Sequence, residues 1–145
     1  MHNFQFQNAV KDFAQHLFQR MGESRAIQFM NGFIKIPAGD ELKLSIEALI
    51  MFACNEYGID RETLVMSAKM IDINARITCY HLSKKYLKLS NAVIAHHFVK
   101  RKTDSIADGL LKAQGMIDLG RMYKDYISKY NCIEDHLKNY MQSRQ

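Results

Sequence analysis

Three consecutive cations, Lys100, Arg101 and Lys102, followed at once by Thr103, Asp104 and Ser105, are the densest group of chemically capable side chains in the sequence. They lie in "HHFVKRKTDSIADGLL", between an apolar-patterned segment ending at Phe98 and another beginning at Ile106, in a joint too short for a long surface loop. Cations at such a joint suit a polyanion: lysine neutralises a phosphate as a point charge, and the planar guanidinium of arginine can bind a guanine edge through two hydrogen bonds. Between Ile73 and Thr103 there are seven cations (Arg76, Lys84, Lys85, Lys88, Lys100, Arg101 and Lys102) and no Asp or Glu. The chain has 20 Lys and Arg against 15 Asp and Glu, so setting those seven aside leaves 13 cations for 15 acids, and the whole net charge of +5 belongs to that window. Clustering of this kind is the electrostatic footprint of a phosphate-rich partner, because neutralised phosphates release condensed counterions. A solvated basic face is the plainer alternative.

Other chemistries find little support. His96 and His97 are adjacent, so on a helix they point about 100° apart and cannot jointly chelate an ion from one face. Cys54, Cys79 and Cys132 are odd in number, widely spaced and set in apolar-periodic segments, which reads as free buried thiols in a reducing cytoplasm and not as metal ligands or a disulfide framework. No HExxH, paired CxxC, nucleophile elbow, dinucleotide-binding glycine motif or Gly-x-x-x-x-Gly-Lys-Ser/Thr phosphate loop occurs. The expectation is a non-enzymatic protein with no metal, cofactor or nucleotide. Tyr80 and Tyr86 flank the basic window, and two readings stand for them: stacking on bases, or core positions with a hydrogen-bonded tip, the commoner use of such tyrosines.

The elements that position these residues are helical. At 145 residues and 48% hydrophobic, with one proline, seven glycines and few alternating runs, the chain suits one all-α core. No segment approaches a membrane span, and "MHNFQFQNAVKDF" lacks an export-signal pattern, so a cytoplasmic protein without membrane contact is expected. Phe6, Val10, Phe13, Leu17 and Met21 mark a first helix stopped by Gly22, within an N-terminal helical addition over residues 1–40 whose apolar stripe needs a protein partner or a second copy. The main body, residues 41–145, starts with a helix capped by Ser45 and ended by Gly58, then a short "RETLVM" helix capped by Asp60. A long helix runs from about Asp72 to Leu87, with Ile73, Ile77, Tyr80 and Tyr86 facing inward. Ser90 caps "NAVIAHHF", and a further helix starting at Lys102 or Thr103 carries Ile106, Leu110, Ala113 and Ile117. Two helices joined by about four residues form a helix-turn-helix, which sets the second helix in the major groove with its first residues at base edges. Met122, Tyr126, Tyr130, Ile133, Leu137 and Met141 outline one or two tail helices broken near Asn131.

In order and spacing, "NEYGIDRETL", "NARITCYHL", "LKLSNAVIAHHF" and "VKRKTDSI" resemble the C-terminal DNA-binding domain of the bacterial replication initiator DnaA over residues 44–113, about half the chain. The resemblance implies a multi-helix domain of the Trp-repressor-like helix-turn-helix type bound to duplex DNA. It sets Arg76 on a phosphate-binding arginine, Arg101 on the arginine of the recognition motif, and Ser105 on a threonine. The sequence departs where Lys102, Thr103 and Asp104 replace Asp, His and Thr, and where the basic loop is reduced to "MSAKM" with Lys69 alone. Asp104 could accept from a cytosine amino group, or cap the helix and repel phosphate. The expected DNA contacts are therefore Arg76, Lys100, Arg101, Lys102, Thr103, Ser105 and Lys69. The alternative is a helical protein-interaction module that has kept such a fold and lost sequence readout.

Overall fold

The first helix of the structure, a computed structural model that describes residues 40–99 and 104–143, is α1, Glu41–Tyr57. Every residue from Ser45 to Cys54 except Glu47 is buried, so α1 is enclosed on all sides by its neighbours. It is capped by Asp40, whose carboxylate accepts from the Lys43 N–H at 3.1 Å, with Glu41 adding negative charge at the positive end of the helix dipole. Ser45 is not the cap: it sits one turn inside, and its hydroxyl donates back to the Glu41 carbonyl at 3.0 Å. The C-terminus is at Gly58, where φ is +65° and the N–H returns to the Cys54 carbonyl. The expected N-terminal helix on Phe6, Val10, Phe13, Leu17 and Met21, and with it residues 1–39, lies outside the described residues.

Asp60 caps α2, Arg61–Met66, accepting from the Thr63 N–H at 2.8 Å. The long helix α3, Met70–Tyr86, touches every other α-helix described here. Its last turn carries Lys84 and Lys85, which complement the negative end of the dipole. The chain then turns through Lys88, at φ +57°, and the Leu89 N–H ties back to the Ser83 carbonyl at 3.4 Å. Ser90 caps α4, Asn91–Phe98, whose Ile94 and Phe98 are fully buried. Ser105 caps α5, Ile106–Asp118, through the Asp108 N–H at 3.3 Å, so this helix starts later than Lys102 or Thr103 and the joint before it is longer than four residues.

A 3-10 turn, Gly120–Met122, leads into α6, Lys124–Ser143. α6 runs through Asn131 without a break, and Met122 lies in the turn, 76% exposed, instead of in the buried stripe. The reason is packing. Tyr126, Tyr130, Ile133, Leu137 and Tyr140 recur at four and three along the face buried against α1, α3 and α5. An asparagine inside a helix costs only about 0.5 kcal/mol, against about 1.5–3 kcal/mol gained by each large apolar side chain buried on either side. Among the described residues there is no strand and no helix long and apolar enough to cross a membrane. Cys54 and Cys79 are buried, Cys132 is half-buried, and none of the three is in a disulfide.

α6 is also tied to α3 by a polar clasp. The Lys85 ammonium and the Tyr86 hydroxyl donate to Glu134 Oε2 at 2.7 and 2.9 Å. Burial pushes the Glu134 carboxyl up, but those two donors outweigh it and hold its pKa below the ordinary value of 4.5. A carboxylate with a depressed folded-state pKa contributes stability that is present above its unfolded pKa and lost as pH falls through the folded one. Glu134→Gln should therefore lower the neutral plateau of a stability–pH profile and flatten its acid limb below the ordinary carboxylate range, where the charged side chain no longer contributes.

Two glycines of α5 test the packing in opposite directions. A Cβ on Gly109 would meet Tyr80 Cδ2 at 2.9 Å and Ile77 Cγ2 at 3.1 Å, and the Tyr80 ring, 1% exposed, cannot swing aside. A Cβ on Gly115 meets nothing within 4 Å. Gly115→Ala should stabilise by up to about 1 kcal/mol through helix propensity, whereas Gly109→Ala should lose about 1–2 kcal/mol net because overpacking exceeds that gain. Urea denaturation of the two variants checks the signs.

Candidate nucleic-acid interface

The joint between α4 and α5 leaves at Val99, whose N–H bonds the Ala95 carbonyl at 3.0 Å, and re-enters the described structure at Asp104. Lys100, Arg101, Lys102 and Thr103, the residues on which the DNA expectation rests most heavily, lie outside the described residues. The structure fixes what flanks them. α4 and α5 pack on each other and both on α3. Ser105, expected at the interface, is exposed but spends its hydroxyl on the cap of α5.

Arg76 does not sit where a phosphate could reach it. Its side chain is 2% exposed, and Nη1 donates to the backbone carbonyls of Leu64 at 3.0 Å, Val65 at 3.2 Å and Ser67 at 3.0 Å. Leu64 and Val65 belong to the last turn of α2, which has no basic residue of its own, so Arg76 satisfies carbonyls that a helix end leaves orphaned. Its Nε faces Asp104 Oδ2 at 3.4 Å, an ion pair without a hydrogen bond, since that oxygen has no hydrogen-bond partner. Asp104 is thus neither the cap of α5 nor turned outward to a base. A small cleft of about 180 Å3 opens here, lined among others by Arg76, Tyr80, Asp104, Ser105, Asp108 and Lys112.

The window that is free of acids in sequence is not free of them in space. Of its described cations, Arg76 pairs with Asp104 and Lys85 with Glu134, both acids coming from outside the window. Lys84 donates to the neutral Asn91 Oδ1 at 2.7 Å. Lys69 is exposed just before α3, beside the exposed apolar side chains Met66, Met70 and Ile71. Tyr80 is a core residue, packed edge-on to Phe98 with ring centroids 5.8 Å apart, and burial pushes its pKa up to about 12. Tyr86 is partly buried and engaged with Glu134, so neither ring is presented for stacking. His96 and His97 stand edge to face, with centroids 5.3 Å apart.

Lys112, which the sequence does not single out, is exposed on α5 with Nζ 2.8 Å from the Sδ of Met70, the residue after Lys69. It lies among Asp108 and Asp118, so no charge run marks it. Among the described residues no three His, Cys, Asp or Glu side chains group as a metal ion would require. No protein family, curated protein or solved structure matches the chain.

The burial of Arg76 has a measurable consequence. Arg76→Ala leaves three carbonyls without their donor and Asp104 without its countercharge inside the protein, so it should cost about 3–5 kcal/mol, the range for removing one partner of a buried pair. Urea denaturation checks this, and a loss under about 1 kcal/mol would mean that the guanidinium is free to leave its place.

Proposed function

We propose that this chain is a non-enzymatic protein that binds duplex DNA with a helix-turn-helix formed by α4 and α5, in the manner of a replication-initiator DNA-binding domain, as a stand-alone regulator. The observation that carries the reading is the run Lys100-Arg101-Lys102 in the joint that enters α5, within a window holding no acid from Ile73 to Thr103. A helix N-terminus adds positive potential to such a joint, and phosphate contacts there would set the register for base contacts. In this reading Lys100, Lys102 and Lys69 grip phosphates, Arg101 reads a guanine edge, and Thr103 adds a neutral contact. Arg76 holds the frame from within. A specific observation favours a second reading, a protein-interaction module: Met66, Met70 and Ile71, within three residues of Lys69 in the sequence, are exposed, and methionine-rich apolar patches are adaptable protein-binding surfaces.

Electrophoretic shifts on random duplex DNA at two salt concentrations separate the readings. Three lysines on phosphates give a slope of about −2.7 in log K against log salt, and Lys100→Ala should reduce it by about one. On a site selected from a random library, Arg101→Lys should cost about 1–3 kcal/mol while sparing scrambled DNA, because lysine keeps the charge but not the two-point hydrogen bonding. No shift at low salt would favour the protein-interaction module.

A further inference from the structure

Away from the joint, α3, α5 and α6 enclose an open cleft of about 580 Å3. That volume falls in the range of small-molecule sites, and its composition is of the usual kind, an apolar floor with a few convergent polar groups. Leu110, Ile117 and Ile127 form the floor, and Leu111 stands on the lip, 73% exposed, a large apolar side chain with nothing to cover it.

The polar wall is already organised. His81 Nδ1 lies 2.6 Å from the Tyr130 hydroxyl and Nε2 lies 2.8 Å from Gln114 Oε1, so one ring links all three helices. Gln114 in turn donates to Asp118 at 2.9 Å, which turns its oxygen towards His81. These groups have their partners and act as a fixed wall. Lys85 and Glu134 neutralise each other at 2.7 Å. Lys84 is different, because its one hydrogen bond goes to the neutral Asn91 side chain and no acid lies within ion-pair distance of it among the described residues. An ammonium has three donors, so two remain free at the rim of an apolar floor.

We infer that this cleft binds a small amphipathic anion, an apolar body on Leu110, Ile117 and Ile127 with a single acidic head on Lys84. The charges lining the cleft, Lys84, Lys85 and Glu134, leave one net positive charge for one negative head. The occupant would touch the flank of α5, the helix that the basic joint enters, and so bias where that helix sits. This last step rests on the DNA-binding reading; occupancy of the cleft does not.

The chain contains no tryptophan, so Leu111→Trp at the exposed lip gives a single fluorescent reporter. Decanoate below its micelle-forming concentration should change the emission of the introduced indole saturably, and decyltrimethylammonium, with the same chain and opposite charge, should not. In that background Lys84→Ala should weaken decanoate about three- to fivefold, the upper range for a partly exposed charge pair, and Lys84→Arg should restore it. No saturable change with decanoate, equal binding of the cation, or indifference to Lys84→Ala would overturn the site. A response to phosphatidylglycerol vesicles without one to monomeric decanoate would overturn it in favour of a membrane surface. With the unaltered chain, saturating decanoate should shift duplex affinity at least about threefold if α5 is biased; an unchanged affinity overturns that coupling. A chain that binds decanoate but no DNA refutes the DNA reading and leaves the cleft site standing.

Discussion

The guanidinium of Arg76 is the tie on which this arrangement of helices depends. A charge taken out of water costs several kcal/mol unless its donors are met, and a side chain 2% exposed has no water to fall back on. Three carbonyls at the end of α2 and the carboxylate of Asp104 supply what water cannot. The requirement runs both ways. α2 is only six residues long and would leave its last carbonyls bare, so it is stable only where α3 presents the arginine. One residue therefore fixes the corner between α2 and α3 and, through Asp104, the approach to α5.

The same tie decides which charges are left for a partner. Once Asp104 is drawn inward to Arg76, and Glu134 reaches across from α6 to Lys85, two of the seven cations in the basic window are neutralised from elsewhere in the chain. Of the rest, Lys84 and Lys88 are exposed at the far end of α3 from Arg76, with Lys84 on the rim of the cleft between α3, α5 and α6. Lys100, Arg101 and Lys102 follow further along the sequence, outside the described residues. A basic stretch that looks continuous in sequence is thus partly neutralised in space, at Arg76 and Lys85, by acids from beyond it.

The contact of α5 with α3 is close. Gly109 brings the α5 backbone so close to Tyr80 and Ile77 that no side chain fits between them, so α5 has little freedom to slide at that point. Beyond it, Leu110, Gln114 and Ile117 face the cleft, where His81 and Tyr130 hold the three helices at a fixed separation. α5 is therefore held against α3 at two points, the Gly109 contact and the Gln114–His81 hydrogen bond.

The sequence alone determined the all-helical class among the described residues, the stop at Gly58 and the caps at Asp60 and Ser90, because these follow from local rules: periodicity, a left-handed glycine, and a side chain bonding an amide three residues on. It also located Ile77, Ile106 and Ala113 on buried faces, since 3.6-residue spacing is a local property. It misplaced the cap of α1 on Ser45, because a serine at a cap and one bonding back along a helix look alike until the preceding turn is built. It broke α6 at Asn131, because propensity knows nothing of a buried seam against α1. Above all it gave Arg76 to the solvent. An arginine in an acid-free stretch reads as a surface cation; only the tertiary structure could bring it to the carbonyls of Leu64, Val65 and Ser67 and to Asp104, which lies 28 positions along the chain, counting from 76 to 104. Helix caps and faces are written within a few residues, whereas the partner of a charge is decided by whatever the fold sets beside it.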